Sequence, residues 1–133
     1  MEKKNTICIV DDDEIFQFIT RKSFERLNRS DDIVMFSNGE KAIQYMQEIY
    51  QEHQPFPDVI FLDINMPIMD GWDFITEFSK INLAGEKLPA IYMVSSSIDD
   101  KDLFKARSLS IVKDYITKPI DDIKIREILN DIG

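Results

Sequence analysis

Four short motifs place acidic, hydroxyl or amine side chains directly after apolar runs that are typical of β-strands. In chain order they are Asp11-Asp12-Asp13, Asp63, Ser95 and Lys118-Pro119. If the strands are parallel neighbours, their carboxyl ends meet at one edge of a single sheet, and these side chains would lie together there. Carboxylates with one hydroxyl and one ammonium suit a divalent cation and a phosphoryl group, with one carboxylate as the phosphoryl acceptor.

Strand and helix patterns alternate along the whole chain. The predicted strands cover residues 6–10, 33–36, 59–62, 90–94 and 115–117, and the predicted helices cover 14–27, a stretch that starts near 37–40, 71–81, 99–109 and 120–132. This alternation predicts a three-layer α/β domain with a parallel sheet and helices on both faces. Five strands favour the doubly wound, flavodoxin-like order 2-1-3-4-5, in which ligands bind between the carboxyl ends of the first and third strands.

The first two helices are predicted from apolar residues at helical spacing. The first is an amphipathic helix through Ile15, Phe18, Ile19 and Leu27, and the second takes its apolar face from Ala42, Ile43, Met46 and Ile49. The third strand is apolar throughout, as expected when helices cover both faces of a parallel sheet.

The composition indicates one cytoplasmic domain. Of the 133 residues 44% are hydrophobic, and no apolar run approaches the ~20 residues that span a bilayer. Cys8 is the single cysteine, which excludes an internal disulfide, and the polar residues 1–5 are unlike a signal peptide. A net charge of -9 makes nucleic acid and anionic membranes poor partners.

The acidic motif predicts a bound cation. Two unit charges ~4 Å apart repel by roughly 4 kcal/mol at an effective dielectric constant near ~20. Mg²⁺ takes oxygen ligands and keeps several waters, so it is the natural counter-ion for carboxylates gathered at one edge. The simpler alternatives are that Asp11-Asp12-Asp13 only caps the first helix, with Asp13 the best candidate for a cap, and that Lys118 is a surface lysine before a helix-starting proline.

Asp63 is the candidate acceptor because it ends its strand and precedes an irregular loop that stops before Asp70. A carboxylate attacks phosphorus to give an acyl phosphate, and phosphoryl transfer asks the protein mainly for positioning and charge stabilisation. Mg²⁺ on one side and Lys118 on the other would neutralise the phosphoryl oxygens, and Ser95 would donate a hydrogen bond to another oxygen.

In this order and spacing the motifs resemble, over the whole chain, the receiver domain of two-component response regulators. The segments that carry the resemblance are Ile9-Val10-Asp11-Asp12-Asp13, Leu62-Asp63-Ile64-Asn65-Met66-Pro67-Ile68-Met69-Asp70-Gly71, Met93-Val94-Ser95 and Tyr115-Ile116-Thr117-Lys118-Pro119. The resemblance implies that Asp63 takes a phosphoryl group from a phosphohistidine on a sensor histidine kinase or a histidine phosphotransfer protein.

The resemblance also implies roles for the residues around the acceptor. Asp12 and Asp63 would bind Mg²⁺ through their side chains, Asn65 through its backbone carbonyl, and Asp11 mainly through a bound water. Lys118 would bind the phosphoryl group, and its peptide bond to the following proline would be cis.

A two-state switch is a further implication of the resemblance. Ser95 and Lys118 would move toward the phosphoryl oxygens, and Tyr115 would fill the space left behind. The face made by the fourth helix, fifth strand and fifth helix would change shape and bind a downstream protein whose identity the sequence leaves open. Asn65 and Ser97 would tune the lifetime of the acyl phosphate.

The chain departs from the family pattern in three places. Ser96 stands where alanine is common, residues 111–114 replace the usual Gly-Ala before the fifth strand, and loop 82–89 is long. These departures bear on the signalling face rather than on the chemistry. The first helix, with Ile15, Phe16 and Ile19 near the rim, is expected to dock the kinase.

The chain stops just after the predicted fifth helix, which favours a stand-alone receiver over residues 1–133, a monomer or weak dimer with no output domain. It would not be an enzyme, since it would catalyse only its own phosphorylation and dephosphorylation. A fragment of a longer regulator is the alternative.

Two other functions compete with this interpretation. A haloacid-dehalogenase-type phosphatase would use Asp11, Asp13, Ser95, Lys118 and the pair Asp121-Asp122, but the pair follows the lysine too closely to lie on a further strand, and Asp63 would go unused. A phosphorylation-independent binding module on the same fold is the second alternative, and the complete set of acids, serine and lysine argues against it.

Overall fold

The computed structural model describes residues 5–27, 31–81, 83–97 and 99–132. Most of the polar N-terminal stretch 1–5, and Asn82 at the start of the predicted loop 82–89, lie outside these residues. Strands and helices alternate as the sequence predicts. The strands are β1 (Thr6–Val10), β2 (Asp32–Phe36), β3 (Val59–Asp63), β4 (Ala90–Ser95) and β5 (Val112–Thr117), and the helices are α1 (Glu14–Arg26), α2 (Gly39–Gln51), α3 (Gly71–Ser79), α4 (Asp100–Ser108) and α5 (Asp122–Ile132).

The five strands form one parallel sheet in the order β2-β1-β3-β4-β5, which confirms the predicted topology. Residues of β1 alternate between two cores: Cys8 and Val10 pack with α2 and α3, whereas Ile7 and Ile9 pack with α1 and α5. Every residue of β3 is buried, as expected for a central strand covered on both faces. None of the described helices combines the length and apolar character needed to cross a membrane.

The inner face of α1 differs from the prediction. Ile15, Phe18 and Ile19 are 71%, 61% and 42% exposed. The buried residues of this helix are instead Phe16, Thr20, Ser23 and Phe24. Both sets have helical spacing, but the buried set contains two hydroxyl residues, so the apolar pattern alone pointed to the wrong face. The predicted inner face of α2 is correct for Ala42, Ile43 and Met46, which are buried, and Ile49 is partly buried.

The start of β5 also differs from the prediction, because the strand begins at Val112 rather than at Tyr115. Its pairing with β4 carries an irregularity between Ile91 and Tyr92, and the polar residues Lys113 and Asp114 are exposed. A bulge of this kind breaks the alternation by which a strand is recognised. The first three residues of the strand therefore looked like a loop.

Candidate functional site

The sheet register brings the ends of four strands to one edge. Val10 of β1 is level with Leu62 of β3, and Asp63 is level with Val94 of β4. Ser95 is in turn level with Thr117 of β5. The residues that follow or end these strands, including Asp11, Asp63, Ser95 and Lys118, therefore occupy one rim, as their positions in the sequence predict.

Three carboxylates gather on this rim. Asp11, Asp12 and Asp63 each offer an oxygen, and the three oxygens lie within 4.8 Å of one another. Asp11 and Asp63 are buried, whereas Asp12 is exposed. Backbone amides hold the two buried groups: the N–H of Asp13 donates to Asp11 Oδ1 at 2.8 Å, and the N–H of Asn65 donates to Asp63 Oδ1 at 3.3 Å.

Lys118 supplies the counter-charge to the two buried acids. Its Nζ lies 2.8 Å from Asp11 Oδ2 and 3.7 Å from Asp63 Oδ1, and its side chain is 13% exposed. The backbone N–H of Lys118 donates to the Ser95 carbonyl at 2.8 Å, which fixes the start of the side chain at the rim. The Lys118–Pro119 peptide bond is cis, in agreement with the family resemblance. Lys118 is therefore part of the acidic cluster and not a free surface lysine.

Burial and mutual repulsion favour protonation of the buried acids. Burial, reinforced by the charge of Asp11, raises the pKa of Asp63 to about 7, although the Lys118 ammonium opposes the shift. Burial also raises the pKa of Asp11, although the attraction of the Lys118 ammonium opposes the shift. The single positive charge of Lys118 therefore does not offset the full free-energy cost of ionising both buried carboxyl groups.

The carboxylate cluster fits a hard divalent cation. Asp11 Oδ2 is buried and has no aligned hydrogen-bond donor, although the Lys118 ammonium lies beside it as an ion pair. A cation held near this oxygen would offset the repulsion among the three carboxylates. Oxygen-only ligands with one exposed member, Asp12, suit Mg²⁺, which keeps some of its waters.

Asp13 has a different place from its two neighbours. Its side chain is the N-cap of α1 and accepts hydrogen bonds from the backbone N–H groups of Ile15 and Phe16 at 3.0 and 3.2 Å. The capping alternative is therefore correct for Asp13 alone, because Asp11 and Asp12 face the site.

Gly71 allows the start of α3 to approach the end of β3. A Cβ atom at this position would lie 2.5 Å from the Asp63 carbonyl oxygen and 3.0 Å from the Cα of Ile64. The Gly71 N–H donates to the Ile64 carbonyl at 2.9 Å. Asp70 and Asp73 form a capping box that starts the helix at this point. The absence of a side chain at Gly71 thus sets the position of the loop that follows Asp63.

Ser95 and Tyr115 meet at one backbone carbonyl. The Ser95 hydroxyl donates to the Ser97 carbonyl at 2.8 Å, and the Tyr115 hydroxyl donates to the same oxygen at 2.9 Å. Ser95 and Tyr115 are both buried, whereas Ser97 is exposed. Ser95 therefore lies at the rim as predicted, and its hydroxyl is hydrogen-bonded to the loop that follows β4. The side chain of Tyr115 is buried in this structure.

The remaining candidates lie outside the acidic cluster or at its margin. Asn65 is exposed on the loop after Asp63. Of the late acidic pair, Asp121 caps α5 by accepting from the Lys124 N–H at 2.8 Å, and Asp122 pairs with Arg26 at 3.0 Å. This pair thus makes other contacts, which argues against the phosphatase alternative that would use it.

Two neighbours of the site carry contacts that the motifs did not predict. The ring of Phe16 lies under the Lys118 ammonium, with 4.7 Å between Nζ and the ring centroid. The Gln17 side-chain amide donates to the Asp11 carbonyl at 2.6 Å and ties α1 to the end of β1. Sequence reasoning assigned Phe16 to an exposed docking surface, but the residue is buried. An apolar ring has no sequence motif that marks it as the neighbour of a distant lysine, so the sequence carries no signal for this contact.

Comparison with known proteins agrees with this architecture. The family model described as "Response regulator receiver domain" matches residues 7–130. The chain is 28% identical to the probable methanogenesis regulatory protein FilR2 of Methanothrix harundinacea, over 89% of this chain and 76% of that protein. It is 33% identical to protein-glutamate methylesterase/protein-glutamine glutaminase 2 of Carboxydothermus hydrogenoformans, over 97% of this chain but only 34% of that protein.

A solved structure shares the whole fold. The chain is similar to a two-component response regulator from Cytophaga hutchinsonii, with a TM-score of 0.87, 27% sequence identity and coverage of 98% of both chains. The match covers nearly the whole of both chains, so the two proteins share this fold.

Proposed function

The chain belongs to the response regulator receiver domain family, and on that premise we propose that it accepts a phosphoryl group on Asp63 from a phosphohistidine. The donor would be a sensor histidine kinase or a histidine phosphotransfer protein. One observation carries the proposal: the Lys118 ammonium lies 2.8 Å from Asp11 and 3.7 Å from Asp63, on a rim where three carboxylates converge.

The proposed reaction is a direct transfer between side chains. A carboxylate oxygen of Asp63 attacks the phosphorus, the P–N bond to the donor imidazole breaks, and the imidazole nitrogen keeps the electron pair and takes up a proton. Lys118 supports the transfer by offsetting negative charge on the phosphoryl oxygens. Asp11 holds that ammonium within reach through its ion pair.

The three carboxylates would hold Mg²⁺, together with the backbone carbonyl of Asn65. A bound Mg²⁺ supplies charge neutralisation for the acceptor carboxylate and for the phosphoryl oxygens. We assign Asp12 and Asp63 to direct coordination and Asp11 to contact through water, in line with the buried ion pair that Asp11 already makes with Lys118.

Signal output would pass through Ser95 and Tyr115 to the surface of α4, β5 and α5. The Ser95 hydroxyl would give up its hydrogen bond to the Ser97 carbonyl and donate to a phosphoryl oxygen instead. The Tyr115 hydroxyl would keep its own hydrogen bond to the Ser97 carbonyl. Phe104 of α4 and Ile123 of α5 are exposed and offer apolar contact for a downstream protein. Asn65 and Ser97, which are exposed beside the site, would set how readily water reaches the acyl phosphate.

The exposed apolar residues of α1 are the proposed docking surface for the phosphodonor. Ile15, Phe18 and Ile19 are exposed, and α1 starts directly after the acidic motif. A partner seated on them would reach the rim that holds Asp63. Phe16 is buried in the core next to the site, so it is not part of this proposed docking surface.

Intact mass measurement tests the proposal. After incubation with acetyl phosphate and Mg²⁺, we expect a gain of one phosphoryl group that is absent with EDTA and absent in the Asp63→Asn variant. A folded, Mg²⁺-binding protein that stays unlabelled by acetyl phosphate and by a phosphohistidine donor would favour a phosphorylation-independent binding module instead.

A further inference from the structure

The Lys118 ammonium is enclosed on three sides. Asp11 contacts it at 2.8 Å, Asp63 lies at 3.7 Å, and the face of the Phe16 ring takes the third side with its centroid 4.7 Å from Nζ. Phe16 is 4% exposed and Lys118 13%, so little water reaches this contact. A cation against an aromatic face is attracted by the ring quadrupole, and the attraction grows when water is excluded.

Hydrogen bonds fix both ends of this contact. The N–H of Phe16 donates to the N-cap carboxylate of Asp13 at 3.2 Å, and the next residue, Gln17, bonds the Asp11 carbonyl at 2.6 Å. On the other side, the N–H of Lys118 donates to the Ser95 carbonyl at 2.8 Å. The ring and the ammonium are therefore held opposite each other by contacts to the end of β1 on one side and to the end of β4 on the other.

We propose that Phe16 is a positioning residue whose ring face holds the Lys118 ammonium at the rim, ready to bind the phosphoryl group. The proposal rests on the proposed function of Asp63 as acceptor. An aliphatic side chain of similar size would fill the space without attracting the charge. A carboxylate in place of the Phe16 ring, in addition to Asp11 and Asp63, would bind the ammonium too strongly for it to shift from Asp11 toward a phosphoryl oxygen. A ring confines the ammonium while leaving its N–H donors to oxygen partners.

Fluorination of the ring separates this electrostatic role from packing. Replacing Phe16 by 3,4,5-trifluorophenylalanine keeps the shape of the side chain but removes most of the negative potential on its face. We expect the rate of phosphorylation by acetyl phosphate at saturating Mg²⁺ to fall by about 30-fold, as for loss of a largely desolvated cation–π contact. The Phe16→Leu variant should show a similar loss.

Phe24 provides the matched control. It is buried in the same helix and the same core cluster, and its ring packs against Phe61 at 6.4 Å between centroids. The same fluorinated residue and the Phe24→Leu change should leave the phosphorylation rate unchanged while lowering the midpoint of urea unfolding about as much as the changes at Phe16. Equal rate losses at the two positions would overturn the inference, because packing would then explain both.

A second measurement needs no phosphorylation. In Mg²⁺-free protein, the ε-CH₂ proton signals of Lys118, assigned by their absence in Lys118→Met, should lie upfield of the other lysines because of the ring current of Phe16, and should return to the common position in Phe16→Leu. An unshifted signal in the wild-type protein would overturn the inference. A shifted signal in a protein that no phosphodonor labels would leave the contact standing and overturn the proposed function instead.

Discussion

The indole N–H of Trp72 donates a hydrogen bond to the Asp102 carboxylate at 3.1 Å, which joins α3 to α4. Lys105, one turn further along α4, places its ammonium 4.8 Å from the centroid of the same ring. Core packing of α4 is sparse, since Ala106 is buried while Phe104 is exposed. The two contacts of Trp72 therefore link α4 to α3 in addition to the packing of α4 on the core.

Asp102→Ala should loosen α4 without affecting the acidic site. Because Trp72 is the single tryptophan of the chain, its fluorescence maximum reports the loss of the hydrogen bond directly, and we expect it to shift to longer wavelength. Amide hydrogen exchange in α4 should accelerate. Asp100→Ala, which removes an exposed acid from the same helix turn, is the control and should change neither signal.

Stability should depend on pH through the buried acids. The folded-state pKa of Asp63 is raised to about 7, above the ~4 of an unfolded chain, so the folded protein binds more protons between these values. The resulting stabilisation is complete below pH ~4 and is lost as the pH rises toward ~7. The pKa of Asp11 is raised as well and acts in the same direction.

In the Asp63→Asn variant, the free energy of unfolding should therefore decrease less than in the wild type as the pH rises from ~4 to ~7. In Mg²⁺-free buffer at neutral pH we expect the variant to be more stable than the wild type by roughly 1–3 kcal/mol, since a poorly compensated buried charge is removed. Urea titrations at several pH values measure this difference. Asp131→Asn, at an exposed position of α5, controls for the change in net charge, and an equal gain there would contradict the explanation.

The sheet order and the composition of the rim followed from the sequence for a simple physical reason. Asp11, Asp63, Ser95 and Lys118 each come at the end of an apolar run, and parallel strands present those ends at one edge. The type of each side chain and its position at the end of a strand were then enough to predict which of these residues share the rim. The assignment of Asp13 as a cap also followed, because an acid just before a helix satisfies its free backbone N–H groups.

Features that depend on packing geometry could not be predicted in the same way. The inner face of α1 includes Thr20 and Ser23, which hydropathy places outside, and the exposed face includes Phe18. The start of β5 was concealed by the irregular pairing near Tyr92. The contact between Phe16 and Lys118 joins residues about a hundred positions apart, and only the folded chain shows that they meet.

Lys118→Met tests the counter-charge on the rim. Removing the ammonium leaves Asp11 and Asp63 to repel each other, and it takes away the cation that would face the phosphoryl oxygens. We expect the rate of phosphorylation by acetyl phosphate to fall by about 100-fold, the usual scale for loss of a group that stabilises transition-state charge. Lys113→Met, at an exposed position of β5, should keep the wild-type rate, and a normal rate in Lys118→Met would exclude the proposed role of the lysine.

Mg²⁺ should stabilise the folded protein at neutral pH. At about 100 times its dissociation constant, an ion that binds only the folded state adds about 2.7 kcal/mol, which thermal unfolding with and without EDTA detects. Asp12→Asn should abolish the response and leave the stability of the metal-free protein nearly unchanged, because Asp12 is exposed. Glu14→Gln, also exposed near the start of α1, should retain the response to Mg²⁺.

Gly71→Ala should disturb Asp63, the proposed acceptor, through the backbone. The added Cβ would lie 2.5 Å from the Asp63 carbonyl oxygen, a separation that forces either the start of α3 or the end of β3 to move. We expect a loss of roughly 1–3 kcal/mol in unfolding free energy, typical of overpacking, and a slower phosphorylation of Asp63 than this loss alone would cause. Gly85→Ala is the comparison: its Cβ meets open space, and any cost there comes from a backbone φ of 78°. Destabilisation by Gly85→Ala should leave the phosphorylation rate of the folded protein intact, so a normal rate in Gly71→Ala would show that the close approach of α3 does not position the acceptor.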